Sequence, residues 1–253
     1  MITAPVRKDE EATTEFFVPS HGLDLDHYLA MPVPDGGKPA RLRKQAIHHL
    51  ARYYWAALVL AELAPGTILD VACGSGYGSR ILADAVPQFK IVGGDYDKRA
   101  VEHATATYGG PDNLSYQPVD IVSWQNPETG EPSGRFDYIV SFDTIEHLLF
   151  RELALMNFAE NLDQSLLFST PARGENRLNP GWEHHKIEYS YRHLYNFVRR
   201  FFEVVKIADN GTLPKLDFWT DRVNRDGQEY LLRGNPMICE NPIAIGMGWP
   251  PQP

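Results

Sequence analysis

With 253 residues, 43% of them hydrophobic, the chain is long enough to bury a sizeable core as one large domain. Its formal net charge of -9 excludes a broad nucleic-acid surface, which needs a basic face, and no apolar run approaches the ~20 residues that span a bilayer. Two cysteines, Cys73 and Cys239, are too few for a disulfide framework or a cysteine-based zinc site. The N-terminal stretch MITAPVRKDEEATTEFF lacks the apolar segment of a signal peptide, so a cytoplasmic location is expected. Short basic runs at Arg41, Arg43 and Lys44, and at Arg199 and Arg200, read as solvated helix faces.

In chain order, residues 1–40 are rich in proline, glycine and acids and read as an N-terminal arm or lid. Residues 41–63 repeat apolar positions at helical spacing (Ile47, Leu50, Tyr54, Ala57, Leu58, Ala61), and Pro65-Gly66 ends that helix. The pattern then alternates. A strand at 67–72 opens into a glycine loop and a helix at 79–85; a strand at 90–94 ends at Asp95 and precedes a helix at 99–108. Strands follow at 114–118 and 135–142, a helix at 148–162, and a strand at 165–169 closed by Thr170-Pro171. A helix at 191–202, a strand at 203–207 and a last strand at 237–245 complete the series. Strands alternating with helices predict an α/β fold with a parallel sheet covered on both faces. The domain is expected to run over 41–253, with an inserted cover segment near 209–235.

The glycine loop lies in ILDVACGSGYGS, residues 68–79. Glycines there let the chain turn sharply and let a ligand approach the backbone. Asp95 ends the next strand, where a carboxylate can accept both ribose hydroxyls of an adenosine; a nicotinamide dinucleotide would use the same layout. Two features favour a different ligand. The spacing is G-x-G-x-G rather than G-x-G-x-x-G, and Asp70 precedes the loop. An acid is unfavourable beside a pyrophosphate and favourable beside the ammonium and sulfonium of S-adenosylmethionine.

Five segments in order resemble the class I, Rossmann-like, S-adenosylmethionine-dependent methyltransferases. ILDVACGSGYGS is similar to their first motif, GGDYD to the second-strand acidic motif, and PVDIVSW to the segment that reads adenine. FDYIVSFDTIEHL resembles the fourth-strand motif and LLFSTP the fifth strand, so the likeness runs from about 49 to 202. It implies a three-layer α/β/α sandwich around a mostly parallel, twisted, seven-stranded sheet whose last strand is antiparallel. It also implies the donor site. Gly74, Ser75 and Gly76 approach the methionine part, Asp95 holds the ribose and Tyr96 lies against the adenine. Asp120 accepts from the adenine amino group, Ile121 donates its backbone N–H, and Ser141 and Phe142 line the floor. Asp70 orders the loop and reaches toward the amino group through water. Tyr53, in an H-L-x-R-Y stretch, either caps the methionine carboxylate or is a core tyrosine.

Methyl transfer displaces an already activated carbon, so the protein must align the nucleophile and, for a hydroxyl, take its proton. His147 follows the fourth strand at the rim where open α/β sheets bind ligands. His185 lies in an H-x-x-E-Y segment after the fifth strand. Each is a candidate base, with a loop-fastening role as the alternative for His185. Asp143 is placed to orient a histidine or bind an acceptor hydroxyl, and Glu146 to do the same or cap the next helix. His147, His184, His185 and Asp143 are metal-ligand types, but no H-x-x-x-H or paired-carboxylate spacing appears, and no metal is expected. The N-P-P-Y-type signature of enzymes that methylate planar nitrogens is absent after the fourth strand, where SFDT stands.

The resemblance to bacterial sugar and natural-product enzymes leads to an O-methyltransferase of a small polar acceptor, a sugar or glycosylated metabolite. N-methylation of an amino sugar, amino acid or peptide-like metabolite is the alternative, as is a non-catalytic donor-binding subunit. The expected partner is a small molecule, with no nucleic acid and no membrane, and homodimerisation is left open.

Overall fold

A computed structural model describes residues 50–173, 177–178, 185–202, 204–207, 222–225, 228–231 and 237–240. The expected arm at 1–40, His184 and most of the 209–235 segment lie outside the described residues. Strands β1 (Thr67–Val71), β2 (Lys90–Asp95), β3 (Leu114–Pro118), β4 (Phe136–Phe142) and β5 (Leu162–Ser169) pair in parallel in the order β3-β2-β1-β4-β5. Seven further short strands stand outside this parallel order among the described residues. Ala172–Arg173 (β6) and Arg177–Leu178 (β7) flank Ile187–Ser190 (β8). Arg222–Arg225 (β10) and Gln228–Leu231 (β11) form an antiparallel hairpin within the segment expected to be an insertion. Met237–Glu240 (β12) runs antiparallel to β5 on one side and to Val204–Ile207 (β9) on the other.

Successive side chains of the central strands join opposite apolar clusters because they point to opposite faces. Ile68, Tyr138, Val140 and Leu167 join one apolar cluster, with the helix over 50–60 (α1) and Tyr77–Ala85 (α2). Leu69, Ile139, Leu166 and Phe168 join the other, with Arg151–Asn161 (α4) and Tyr191–Val198 (α5). Both faces of the sheet are therefore dry, as parallel strands require. The helix between β2 and β3, Lys98–Tyr108 (α3), starts where the Asp97 side chain accepts the Arg99 N–H.

Three elements depart from their predicted form. The apolar face of α1 is rotated: Leu58 is exposed, while Tyr53, Trp55 and Ala56 are buried. The cause is aromatic packing, since the Tyr53 and Trp55 rings both meet Phe142 at the end of β4, with centroids 5.2 and 6.3 Å away. The helix predicted at 148–162 starts three residues later, as α4, after a 3₁₀ turn at Ile145–His147. Between them Leu149 and Phe150 point outward and are exposed. Leu162, read as the end of that helix, and residues 163–164 before the predicted strand instead lengthen β5.

Candidate donor and acceptor site

The carboxyl ends of β1, β2 and β4 form one rim, because Asp70 is level with Gly93 and Val140 in the sheet. The glycine loop leaves this rim with three residues in left-handed conformation, Ala72 (φ 57), Gly74 (φ 57) and Gly76 (φ 91). Gly76 is the N-cap of α2, so the helix begins two residues earlier than the sequence pattern indicated. A side chain on Gly78 would meet the Tyr53 ring, 1.9 Å from Cζ. One on Gly74 would meet nothing within 4 Å. The loop is thus packed solid on its Gly78 side and open on its Gly74 side.

Asp70 is fully buried behind the loop. The Ser79 hydroxyl donates to its Oδ2 at 2.6 Å and the Tyr53 hydroxyl to its Oδ1 at 3.1 Å. Burial pushes this carboxyl up to about 7, against the two hydrogen bonds, with the Asp95 charge adding to the rise. Asp95 accepts the Gly74 N–H on Oδ2 at 2.8 Å and the Asp97 N–H on Oδ1 at 2.9 Å. It ties β2 to the loop. Burial again dominates and pushes it up to about 6. The Tyr96 N–H also bonds this carboxylate, which with about four lone-pair sites keeps acceptor capacity for a ligand hydroxyl. The Ser75 hydroxyl is buried without a hydrogen-bond partner among the described residues. An open Gly74, spare acceptors on Asp95, an acid at Asp70 and this unpaired hydroxyl fit a cationic adenosyl ligand.

Farther along the rim, the Asp120 Oδ1 accepts the Val122 N–H at 2.8 Å, closing a turn that holds Ile121. Asn157 on α4 clamps the same turn, its amide donating to the carbonyls of Ile121 and Val122, both at 2.9 Å. Tyr96 is half-buried after β2, and Phe142 is buried under Tyr53.

The expected acceptor residues follow β4. Asp143 stands at φ 49, a conformation that aspartate tolerates better than most residues. Its carboxylate pairs with Arg52 of α1 at 2.9 Å and accepts the Ser169 hydroxyl at 3.1 Å. The carboxylate beside the histidines is Glu146, whose Oε1 lies 3.8 Å from His147 Nε2. The His147 and His185 rings meet edge to face with centroids 4.8 Å apart. His185 Nδ1 lies 3.0 Å from Glu188 Oε1, and the Lys186 N–H donates to the Glu146 carbonyl at 2.7 Å. Burial pushes the Glu146 carboxyl well up, with the Asp143 charge contributing. It is not a helix cap: the Thr170 hydroxyl donates to its Oε2 at 2.7 Å.

Sequence reasoning did not find Ser79, Asn157, Thr170 or Glu188 as partners. The only signal for Glu188 was its place three residues after His185; the others depend on contacts between distant segments.

The fold and this rim define a Rossmann-like adenosyl-binding domain. A family model described as "Methyltransferase domain" matches residues 43–205, and the chain belongs to that family. A probable S-adenosylmethionine-dependent methyltransferase of Mycobacterium tuberculosis is 30% identical over 129 residues, 47% of this chain and 43% of that protein. The chain thus spans less than half the length of the curated relatives it matches. Magnesium protoporphyrin IX methyltransferase of Synechocystis, solved with bound S-adenosylhomocysteine, shares the fold with a TM-score of 0.57 at 14% identity, covering 88% of this chain and 95% of that one. The N-terminal domain of EvdMO1, solved in the presence of S-adenosylhomocysteine and D-fucose, gives 0.51 at 14% identity, covering 77% and 82%. Among the described residues, no helix is long and apolar enough to cross a membrane.

Proposed function

We propose that the chain transfers the methyl group of S-adenosylmethionine to a hydroxyl of a small polar acceptor, a sugar or glycosylated metabolite. The observation that carries this reading is the pairing of two imidazoles with a buried carboxylate, His147, His185 and Glu146, after β4 in a sheet whose β1 leads into the open glycine loop. Bound S-adenosylmethionine supplies a sulfonium-activated methyl carbon. The residues that would hold it are Gly74, Ser75 and Gly76 at the methionine end and Asp95 and Tyr96 at the ribose and adenine. Asp120 and Ile121 would take the adenine edge, over a floor of Phe142. Asp70 adds negative charge beneath the loop while holding Ser79 and Tyr53 in place.

The chain's own contribution is alignment and proton removal. Holding the acceptor in line is worth up to ~7–11 kcal/mol in well-oriented systems, and a general base ~10²–10⁴-fold. His147 and His185 are the groups to take the hydroxyl proton, and Asp143, anchored by Arg52, is placed to hold the acceptor. In the complete domain we read the strand order β3-β2-β1-β4-β5-β12-β9 as the seven-stranded, three-layer form of this fold. The test is release of S-adenosylhomocysteine with panels of nucleotide sugars, glycosides and amines. Turnover on hydroxyl acceptors is expected. Turnover on amines alone would overturn the reading in favour of N-methylation, and donor binding with no turnover on either panel in favour of a non-catalytic subunit.

A further inference from the structure

Glu146 and His147 stand on the 3₁₀ turn after β4, and His185 precedes β8. The Lys186 N–H bond to the Glu146 carbonyl joins the two segments. One ligand atom from each of the three side chains lies within 4.8 Å of the others. Glu146 is the informative member. Thr170 satisfies its Oε2, while Oε1, equally buried, has no hydrogen-bond partner among the described residues. A buried acceptor left without a donor costs ~1–3 kcal/mol, more when charged. Something that these side chains do not provide belongs there.

His185 adds an independent sign. Its Nδ1 is paired with the buried Glu188 carboxylate. Histidines that bind metals almost always pair their other ring nitrogen with such a partner, which orients the ring toward the ion. Asp143 is excluded as a ligand because Arg52 and Ser169 hold its two oxygens.

We propose that Glu146, His147 and His185 bind one divalent first-row transition metal, such as zinc, through one carboxylate oxygen and two imidazole nitrogens. This ligand set suits zinc, cobalt or iron(II), whereas magnesium and calcium prefer oxygen donors throughout. In a tetrahedral site, ligand atoms ~2.0–2.1 Å from zinc stand about 3.4 Å apart, so the cluster closes by up to about 1.4 Å on loading. Three protein ligands leave a position for water or an acceptor oxygen. A hydroxyl bound there would become more acidic and give its proton to solvent, so in the loaded protein the histidines would serve as ligands in place of the base role proposed above. Metal binding itself does not depend on the acceptor being a hydroxyl.

The experiment uses the full chain without a polyhistidine tag, stripped with a chelator and then titrated with zinc chloride by calorimetry and with cobalt chloride by visible absorption. One equivalent per chain is expected, with the d–d bands of a nitrogen- and oxygen-ligated cobalt. Glu188→Gln should weaken zinc binding about 10–100-fold, the cost typical of losing such a support. The double variant His147→Ala/His185→Ala should bind no stoichiometric metal. All variants should still bind S-adenosylhomocysteine, which shows that they are folded. No stoichiometric binding by the wild-type chain, or binding that survives the double variant, overturns the site. Zinc binding with turnover on amines alone overturns the hydroxyl reading and leaves the metal site standing. Undiminished hydroxyl turnover by stripped protein that binds no zinc does the reverse.

Discussion

At the scale of single residues, Gly74 and Gly78 look alike in the sequence and do opposite work. A methyl on Gly78 would lie 1.9 Å from Cζ of Tyr53, which is itself pinned between Asp70, Phe142 and Tyr77. The ring has nowhere to retreat. Gly78→Ala should therefore cost stability at the upper end of the ~1–3 kcal/mol typical of overpacking. A methyl on Gly74 meets nothing, and its strain at φ +57 is worth only ~1–2 kcal/mol. It would project into the proposed donor cradle instead. Gly74→Ala should lose more in S-adenosylhomocysteine affinity than in stability, and Gly78→Ala the reverse. Denaturant melts and calorimetry on the two variants check this; full ligand affinity in Gly74→Ala would place the cradle elsewhere.

Among the elements, α1 does more than cover the sheet. Consecutive residues on it reach two different strands: Arg52 pairs with Asp143 after β4, and Tyr53 donates to Asp70 on β1. The Arg52 and Asp143 side chains are 7% and 17% exposed, so their pairing is worth much more than a surface bridge. Removing one partner of a buried pair costs about 3–5 kcal/mol, because the other charge is left without compensation. Arg52→Leu should approach the lower figure, given the exposure of Asp143. Asn tolerates the left-handed conformation at 143, so Arg52→Leu/Asp143→Asn should recover much of the loss. A double-mutant cycle by urea denaturation measures the coupling; simple additivity would show that the pair contributes little. The sequence showed α1 as a helix. It could not show which face turns inward, because Tyr54 and Leu58 are as apolar as the residues chosen. The choice falls to Phe142, which gathers Tyr53 and Trp55 from 90 residues away in the chain.

For the whole molecule, the two buried acids set a pH dependence. Asp70 is raised to about 7 and Asp95 to about 6, while the unfolded carboxyl titrates near ~3.9. Between about pH 4 and 7 the folded chain therefore holds more protons than the unfolded one. A raised carboxyl makes ionisation costly in the folded state, so stability of the ligand-free protein should fall as pH rises through this window, and the raised Glu146 carboxyl adds a decline of the same sign. Donor binding should run the other way. On the proposed assignment ionised Asp95 accepts from the ribose and protonated Asp95 does so poorly, so affinity for S-adenosylhomocysteine should weaken as pH drops through about 6. Denaturation midpoints and calorimetry across pH 5 to 8 separate the two slopes, and parallel slopes would contradict the assignment of Asp95 to the ribose.

The order of strands and helices, the glycine loop and the acids at 70, 95 and 120 could be read from residue order alone. Period-two and period-3.6 patterns and a strand-to-helix glycine turn are local properties, fixed by neighbours within a few residues. The late start of the helix predicted at 148–162 was hidden, because Leu148, Leu149 and Phe150 continue its apolar run and only the exposure of Leu149 and Phe150 sets them apart. The partners were hidden as well. Ser79 on Asp70, Asn157 on the 121–122 turn, Thr170 on Glu146 and Glu188 on His185 are set by how the strand ends converge. The sequence named His147 and His185 separately and showed no metal-type spacing between them. Tertiary structure joined them, since a ligand set drawn from two segments 38 residues apart leaves no periodicity to read, and only the folded rim brings Glu146 between them with an unpaired oxygen.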